Sequence, residues 1–231
     1  MRVCGKNVFN ELDKTKIKKV YLSKNFHDEK IIESLKEHHL KYVLTEPNIM
    51  DKMMKNNQGI IFDMHDYEYK TLGAIGDEKF VLILDHLEDP HNFGAIIRSC
   101  EARGVKNIII PKDRSVSVTD TVMKTSTGAI ENVNIIMVNN LVAAINKLKD
   151  KGFFVYAAEA DGEDYRKVDY ADKICLVIGS EGFGLTKIVR QNSDVIISIP
   201  MKGHVNSLNA SVSAGILLFG IGNWWNITIM N

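Results

Sequence analysis

Four nearly unbroken apolar runs constrain this chain most: FVLILD (80–85), NIIIP (107–111), ICLVIGS (174–180) and DVIISIP (194–200). A strand buried on one face alternates apolar and polar residues, whereas a strand buried on both faces does not. Runs of the second kind belong to parallel sheets covered by helices on either side. Helical patterns separate these runs at 92–103, around 117–125, at NLVAAINKLKDKG (140–152) and near 184–191, and a long helix is expected from about 208 to 222. NVNIIMV (132–138) and FFVYAAEA (153–160) read as further strands. The fold class is therefore α/β with a parallel sheet.

A smaller α/β unit precedes this one. Residues 5–12 read as a short helix, KKVYLSK (18–24) as a strand and DEKIIESLKEHH (28–39) as an amphipathic helix. KYVLT (41–45), PNIMDKMMKN (47–56) and QGIIFDM (58–64) follow as strand, helix and strand. The polar stretch DYEYKTLGAIGDEK has two glycines and no period, which places a linker near residues 67–78.

Apolar residues make up 45% of the 231, enough for a full core, and no apolar run approaches the roughly 20 residues that span a bilayer. The start, MRVCGKNVFNELDK, lacks the apolar segment of a secretory signal. Cys4, Cys100 and Cys175 are odd in number and widely spaced, fitting neither a disulfide framework nor a zinc site. The expectation is a reduced, cytoplasmic protein. Formal net charge is zero, but residues 1–24 carry seven basic side chains (Arg2, Lys6, Lys14, Lys16, Lys18, Lys19, Lys24) against Glu11 and Asp13. That end could meet phosphate, or be a solvated lysine-rich surface.

Three loops carry chemistry. In DHLEDPHNFGAIIRS (85–99), Pro90 and Asn92 suit a turn and helix start, and Gly94 allows close approach of backbone or ligand. Arg98, expected on the second turn, could face the same site as Asn92 if the loop folds back; the simpler alternative is a capped helix with a surface arginine. Asp85, His86, Asp89 and His91 have no established metal-ligand spacing, so no metal is expected. In LVIGSEGFGLT (176–186) the glycine order is neither a dinucleotide fingerprint nor a phosphate loop. Glu181 at its tip is either an acceptor for a ligand amine or hydroxyl, or a helix N-terminal cap. In ISIPMKGHVNSLNASVSAGILLFG (197–220), Ser207, Leu208 and Asn209 open a helix whose first turns are small residues, suited to tight packing.

Together the three loops resemble, in order and spacing, the motifs of the SpoU (TrmH-like) branch of the SPOUT RNA methyltransferases. Asn92, Gly94 and Arg98 match the first, GSEGFGL the second and IPMKGHVNSLNASVSAG the third, over residues 79 to about 222. GKNVFNEL and QGII in the first unit resemble the L30e-like RNA substrate-binding domain of some members. The nearest likeness is to bacterial 23S rRNA guanosine-2′-O-methyltransferases, with tRNA ribose methylation as the alternative.

The resemblance implies units at 1–70 and 79–231 joined by a linker at 71–78, and a deep trefoil knot in the second. It implies S-adenosylmethionine as methyl donor, held by loops around Ala158, Gly179, Ile199 and Leu208. It implies an acceptor site formed by Asn92, Arg98, Glu181, Ser207 and Asn209, completed across a homodimer to which the C-terminal helix contributes. Arg98 is either the base or, more in keeping with a guanidinium that stays protonated, a bidentate orienter of phosphate and hydroxyl. The adjacent tryptophans of NWWNITIMN suit an interface or the protein's own core, and its Asn226-Ile-Thr sequon is a chance match. An inactive RNA-binding protein of the same fold and a flavodoxin-like nucleotide enzyme are the competing readings; the second lacks a phosphate-cradling motif.

Overall fold

The computed structural model describes residues 2–204 and 207–221. Trp224, Trp225 and the Asn226 sequon therefore lie outside the described residues.

The second unit is a six-stranded sheet of β5 (Phe80–Asp85), β6 (Asn107–Pro111), β7 (Asn134–Val138), β8 (Phe154–Asp164), β9 (Ile174–Gly179) and β10 (Val195–Ser198). Its order is β10-β8-β9-β5-β6-β7, and every pairing is parallel. Helices cover both faces. Leu82, Leu84, Leu176 and Ile178 point into one core with α4 (Pro90–Arg103), α5 (Asp120–Ser126) and α8 (Ala210–Gly220). Val81, Ile83, Cys175 and Val177 point into the other with α6 (Leu141–Asp150) and α7 (Lys187–Gln191). This two-sided burial is why β5 and β9 read as continuous apolar runs. Burial also pushes the Cys100 and Cys175 thiols up, which keeps them protonated and unreactive.

The direction of strand addition reverses between β9 and β5: from β5 the sheet grows through β6 and β7, then the chain crosses to β8 and inserts β9 beside β5. Asp85 stands level with Gly179 at the carboxyl ends of these neighbours. Such a switch point opens a crevice between the loops that leave the two strands.

Several boundaries differ from expectation. Helix α4 starts at Pro90, with Asp89 rather than Asn92 as its cap, the Asp89 carboxylate accepting from the His91 and Asn92 amides. Arg98 therefore sits in the third turn. Strand β8 runs on through the polar residues to Asp164, because Gly162 lets it lie against β10: a Cβ there would be 2.5 Å from the Ile197 carbonyl carbon. Helix α8 starts at Ala210, not 208.

The first unit is a mixed four-stranded sheet, β1-β4-β2-β3, of β1 (Arg2–Cys4), β2 (Ile17–Ser23), β3 (Tyr42–Thr45) and β4 (Ile60–Met64), with α1 (Lys6–Glu11), α2 (Glu29–Glu37) and α3 (Pro47–Met53). It docks on α5, where the Arg2 amide donates to Asp120 (2.7 Å), and on the helical turn Ala129–Asn132 that follows, where Lys16 pairs with Glu131. The polar stretch between the units is tied down. Lys70 donates to the Ile135 carbonyl (2.9 Å) beside β7, and the Tyr69 hydroxyl accepts from the Val118 amide (2.8 Å). The Tyr67 and Tyr69 rings meet edge to face, and burial pushes the Tyr67 hydroxyl up to about 12. Among the described residues, no helix is long and apolar enough to cross a membrane.

Candidate active site

Residues from all three motif loops meet at the switch point. Glu181, at the tip of the loop after β9, accepts three hydrogen bonds on Oε1: from Asn92 Nδ2 (3.0 Å), Asn209 Nδ2 (2.5 Å) and the Ala210 amide (3.1 Å). Asn209 Nδ2 also lies 3.0 Å from Asn92 Oδ1. Asn209 caps α8, its Oδ1 accepting from the Ser211 and Val212 amides. The cap reading of Glu181 holds, but for the distant helix α8, and Glu181 is also the hub joining β9, α4 and α8. A carboxylate at a helix N-terminus is also favoured by the exposed amide dipoles there. Glu181 Oε2 has no hydrogen-bond partner among the described residues.

The loop carrying Glu181 is folded tightly on itself. Ser180 and Gly184 exchange backbone hydrogen bonds of 3.1 and 3.0 Å, and Gly182 and Gly184 adopt positive φ. A Cβ on Gly179 would stand 2.2 Å from the Gly184 carbonyl carbon, so only glycine allows this closure. Phe183 is left 94% exposed at the tip.

One side of this loop forms the wall of a cavity of ≈ 690 Å³. Ala158, Gly179, Ile199 and Leu208 all line it, and so do Glu181, Ser207 and Asn209. Ile178 and Leu217 add apolar surface. Sequence reasoning missed the charged rim, where Arg190 pairs with Glu159 and makes a two-pronged contact with Asp161 (3.0 and 2.9 Å). The clustered acids of EADGED were the available signal.

Two motif residues do not join the cluster. Gly94 serves helix packing: a Cβ would lie 2.6 Å from Thr125 Cβ, so it lets α4 close on α5 rather than admitting a ligand. Arg98 is exposed, has no hydrogen bond or ion pair among the described residues, and does not line the cavity. On a continuous helix, six residues turn the chain through about 240°, so Arg98 leaves on a different side from Asn92. Asp85, which the sequence suggests only as a possible metal ligand, is instead a buried tie at the end of β5. Asp85 Oδ2 accepts from the Thr186 amide (2.6 Å) and hydroxyl (2.9 Å), and Oδ1 lies 2.5 Å from His86 Nδ1. It ties the loops after β5 and β9 together from below.

Known proteins share this two-unit fold. Residues 79–219 match the SpoU rRNA Methylase family, and residues 2–70 match the RNA 2′-O ribose methyltransferase substrate-binding family. A Staphylococcus aureus protein assigned to the TrmH family of tRNA/rRNA methyltransferases is 42% identical over 207 residues, 86% of this chain and 80% of its own length. A Bacillus subtilis protein of the same assignment is 37% identical over 233 residues, 95% of this chain and 94% of its own. The SpoU methyltransferase AviRb of Streptomyces viridochromogenes, solved with AdoMet, superposes with a TM-score of 0.84 at 19% identity, covering 95% of this chain and 88% of that one. With the Glu181–Asn92–Asn209 cluster at the β5/β9 switch point and both units matched, the chain belongs to the SpoU/TrmH family of RNA methyltransferases.

Proposed function

We propose that the protein transfers a methyl group from S-adenosylmethionine to a ribose 2′-hydroxyl of RNA, a guanosine of 23S rRNA being the first acceptor to test and a tRNA ribose the alternative. The observation that carries this reading is the shared wall: the acceptor-side residues Glu181, Ser207 and Asn209 line the same cavity as the donor-side residues Ala158, Gly179, Ile199 and Leu208. The cavity suits the donor. Its ≈ 690 Å³ is in the range of cofactor pockets, Ile178, Ile199, Leu208 and Leu217 offer apolar surface for adenine, and Gly179 leaves its floor free of side chain. When bound, the donor supplies an electrophilic methyl group.

The chain's own residues do the rest by positioning. Asn92 and Asn209 saturate Glu181 Oε1 and fix the carboxylate, so that the free Oε2 accepts the acceptor's hydroxyl proton as a hydrogen bond. Ser207 adds a hydroxyl at the cavity wall. Arg98 completes the set from the partner in a homodimer, which accounts for its exposure and its distance from its own chain's cluster. There its planar fork orients phosphate and hydroxyl together. Helix α8 supplies part of the interface: Val212 is exposed and Gly215 opens onto empty space. Residues 1–70 form the RNA-binding unit, 71–78 the linker and 79–231 the catalytic unit. The C-terminal unit carries the trefoil knot. Support comes from the chain path, which leaves the sheet's edge at Ser198 and returns to pack α8 on α4 and β9 by Ala210.

Calorimetry with S-adenosylmethionine, followed by mass spectrometry of RNA from cells lacking the protein, tests the reading. Binding and one lost ribose methyl are expected. Leu208→Asp puts an unpaired charge against the adenine, costing several kcal/mol. Wild-type donor affinity in that variant would move the donor elsewhere.

A further inference from the structure

The loop 180–184 has a second side. There a cavity of ≈ 530 Å³ lies between it and the loops that follow β5 and β6, sharing Ser180, Glu181, Phe183 and Gly184 with the first. Its other polar residues include His86, Glu88 and Arg114. Arg114 has no hydrogen bond or ion pair among the described residues and sits at φ 49, and His86 sits at φ 58. Backbone in that region is costly for side chains other than glycine and is tolerated where the fold requires a side chain to be aimed. His86 is held through Nδ1 by the buried Asp85, which leaves Nε2 without a partner among the described residues. Phe183, 94% exposed, presents an aromatic face at the boundary of the two cavities.

We propose that this second cavity receives the base of the acceptor nucleotide and selects guanine. The proposal rests on the reading that the acceptor is an RNA ribose held beside Glu181. A nucleoside whose ribose meets Glu181 from one side of a shared loop must place its base nearby, and this cavity is contiguous with that carboxylate. Phe183 offers a stacking surface that any base can use. Selection comes from the polar set. The Arg114 fork matches the two adjacent acceptors of guanine, O6 and N7, whereas adenine sets an amino donor beside N7. The Glu88 carboxylate and His86 Nε2 are acceptors for guanine's N1–H and amino group, which adenine and the pyrimidines do not present together.

Saturation-transfer NMR on the full chain tests this, with S-adenosylmethionine added to fill the first cavity. The probes are GMP, 7-deaza-GMP, AMP and CMP at millimolar concentration. GMP should bind best, and 7-deaza-GMP about tenfold more weakly, as expected for loss of half a bidentate contact. Arg114→Ala should weaken GMP similarly and abolish the difference between GMP and 7-deaza-GMP, and Phe183→Ala should weaken all four. Equal signals from the four nucleotides, no signal from GMP, or indifference to Arg114→Ala would overturn the proposal. Full rescue by Arg114→Lys would assign Arg114 to a phosphate and overturn it equally. Donor binding with base-blind nucleotides would sink this subsite alone, whereas failure of the unsubstituted protein to bind S-adenosylmethionine would sink the reading beneath it.

Discussion

Between Arg2 and Lys24 the chain carries seven cations, and most are engaged at home. Arg2 pairs with Asp63, Lys6 with Asp28, Lys16 with Glu131 and Lys24 with Glu46. Lys14 turns inward to the Phe9 and Leu12 carbonyls, where burial pushes its ammonium down. Lys19 lies over the Tyr21 ring, and among the seven only the Lys18 side chain has no hydrogen bond, ion pair or ring contact among the described residues. In the second unit, Arg98 and Arg114 are the reverse: exposed, without ion pairs among the described residues, and set close to the three motif loops in sequence or space. A cluster of positive charge in the sequence is therefore not a cluster of available charge on the surface. On the proposed function, Arg98 and Arg114 stay free for a substrate to complete their hydrogen bonds, whereas Arg2 is paired and staples β1 to β4.

Breaking that contrast should give effects of graded size. The largest belongs to Arg98. Arg98→Ala should lower single-turnover methylation, at saturating RNA and donor, by about a hundredfold through misalignment alone. Arg98→Lys should recover little, since it keeps the charge and loses the fork. Donor affinity should be unchanged in both; near-wild-type turnover of the lysine variant would shift the catalytic role to Glu181. Next, Lys18→Ala with Lys19→Ala should weaken RNA binding several-fold at low salt and reduce the salt slope by at most about 2, each phosphate contact contributing somewhat less than one. Removing Lys6, Lys16 and Lys24 together should change RNA affinity less than about twofold by the same counting. A larger loss would mean that RNA takes these lysines from their carboxylates. Smallest is an acid effect on stability. Arg2, and then the Tyr21 hydroxyl, hold the Asp63 carboxyl below its usual range. A lowered folded value contributes stability above the unfolded value of roughly 3.9, and that contribution fades as pH falls through the folded value. For so exposed a pair, Asp63→Asn should flatten the acid limb of a stability curve by less than about 1 kcal/mol.

How far the sequence alone could go depended on what each residue depends on. β5, β6 and β9 were legible because burial on both faces leaves no polar position to blur the run. β1, three residues long and defined only by its pairing with β4, was not, and strand order is carried by no local pattern. Asn92, Glu181, Ser207 and Asn209 were named from motif order, and the structure brings Asn92, Glu181 and Asn209 into one cluster with Ser207 on the same cavity wall. The same motif supplies Arg98, but spacing alone groups it with Asn92 as though a loop joined them. The helix that starts at Pro90 carries it away instead. His86 and Arg114 were illegible as a pair: they share a cavity only because β5 and β6 are neighbours.

The Glu181 hub also sets a clock. Two of its three hydrogen bonds come from Asn209 and Ala210, and the cavity is walled by Ser207, Leu208, Ser213 and Leu217. Everything the hub needs from β5, α4 and β9 is synthesised earlier. A nascent chain halted on the ribosome before residue 207 could assemble most of the sheet, yet would hold Glu181 with one bond and a cavity open on one side. On the proposed function, methylation therefore waits on synthesis of the start of α8, and a shorter nascent chain stays silent whatever RNA lies beside it.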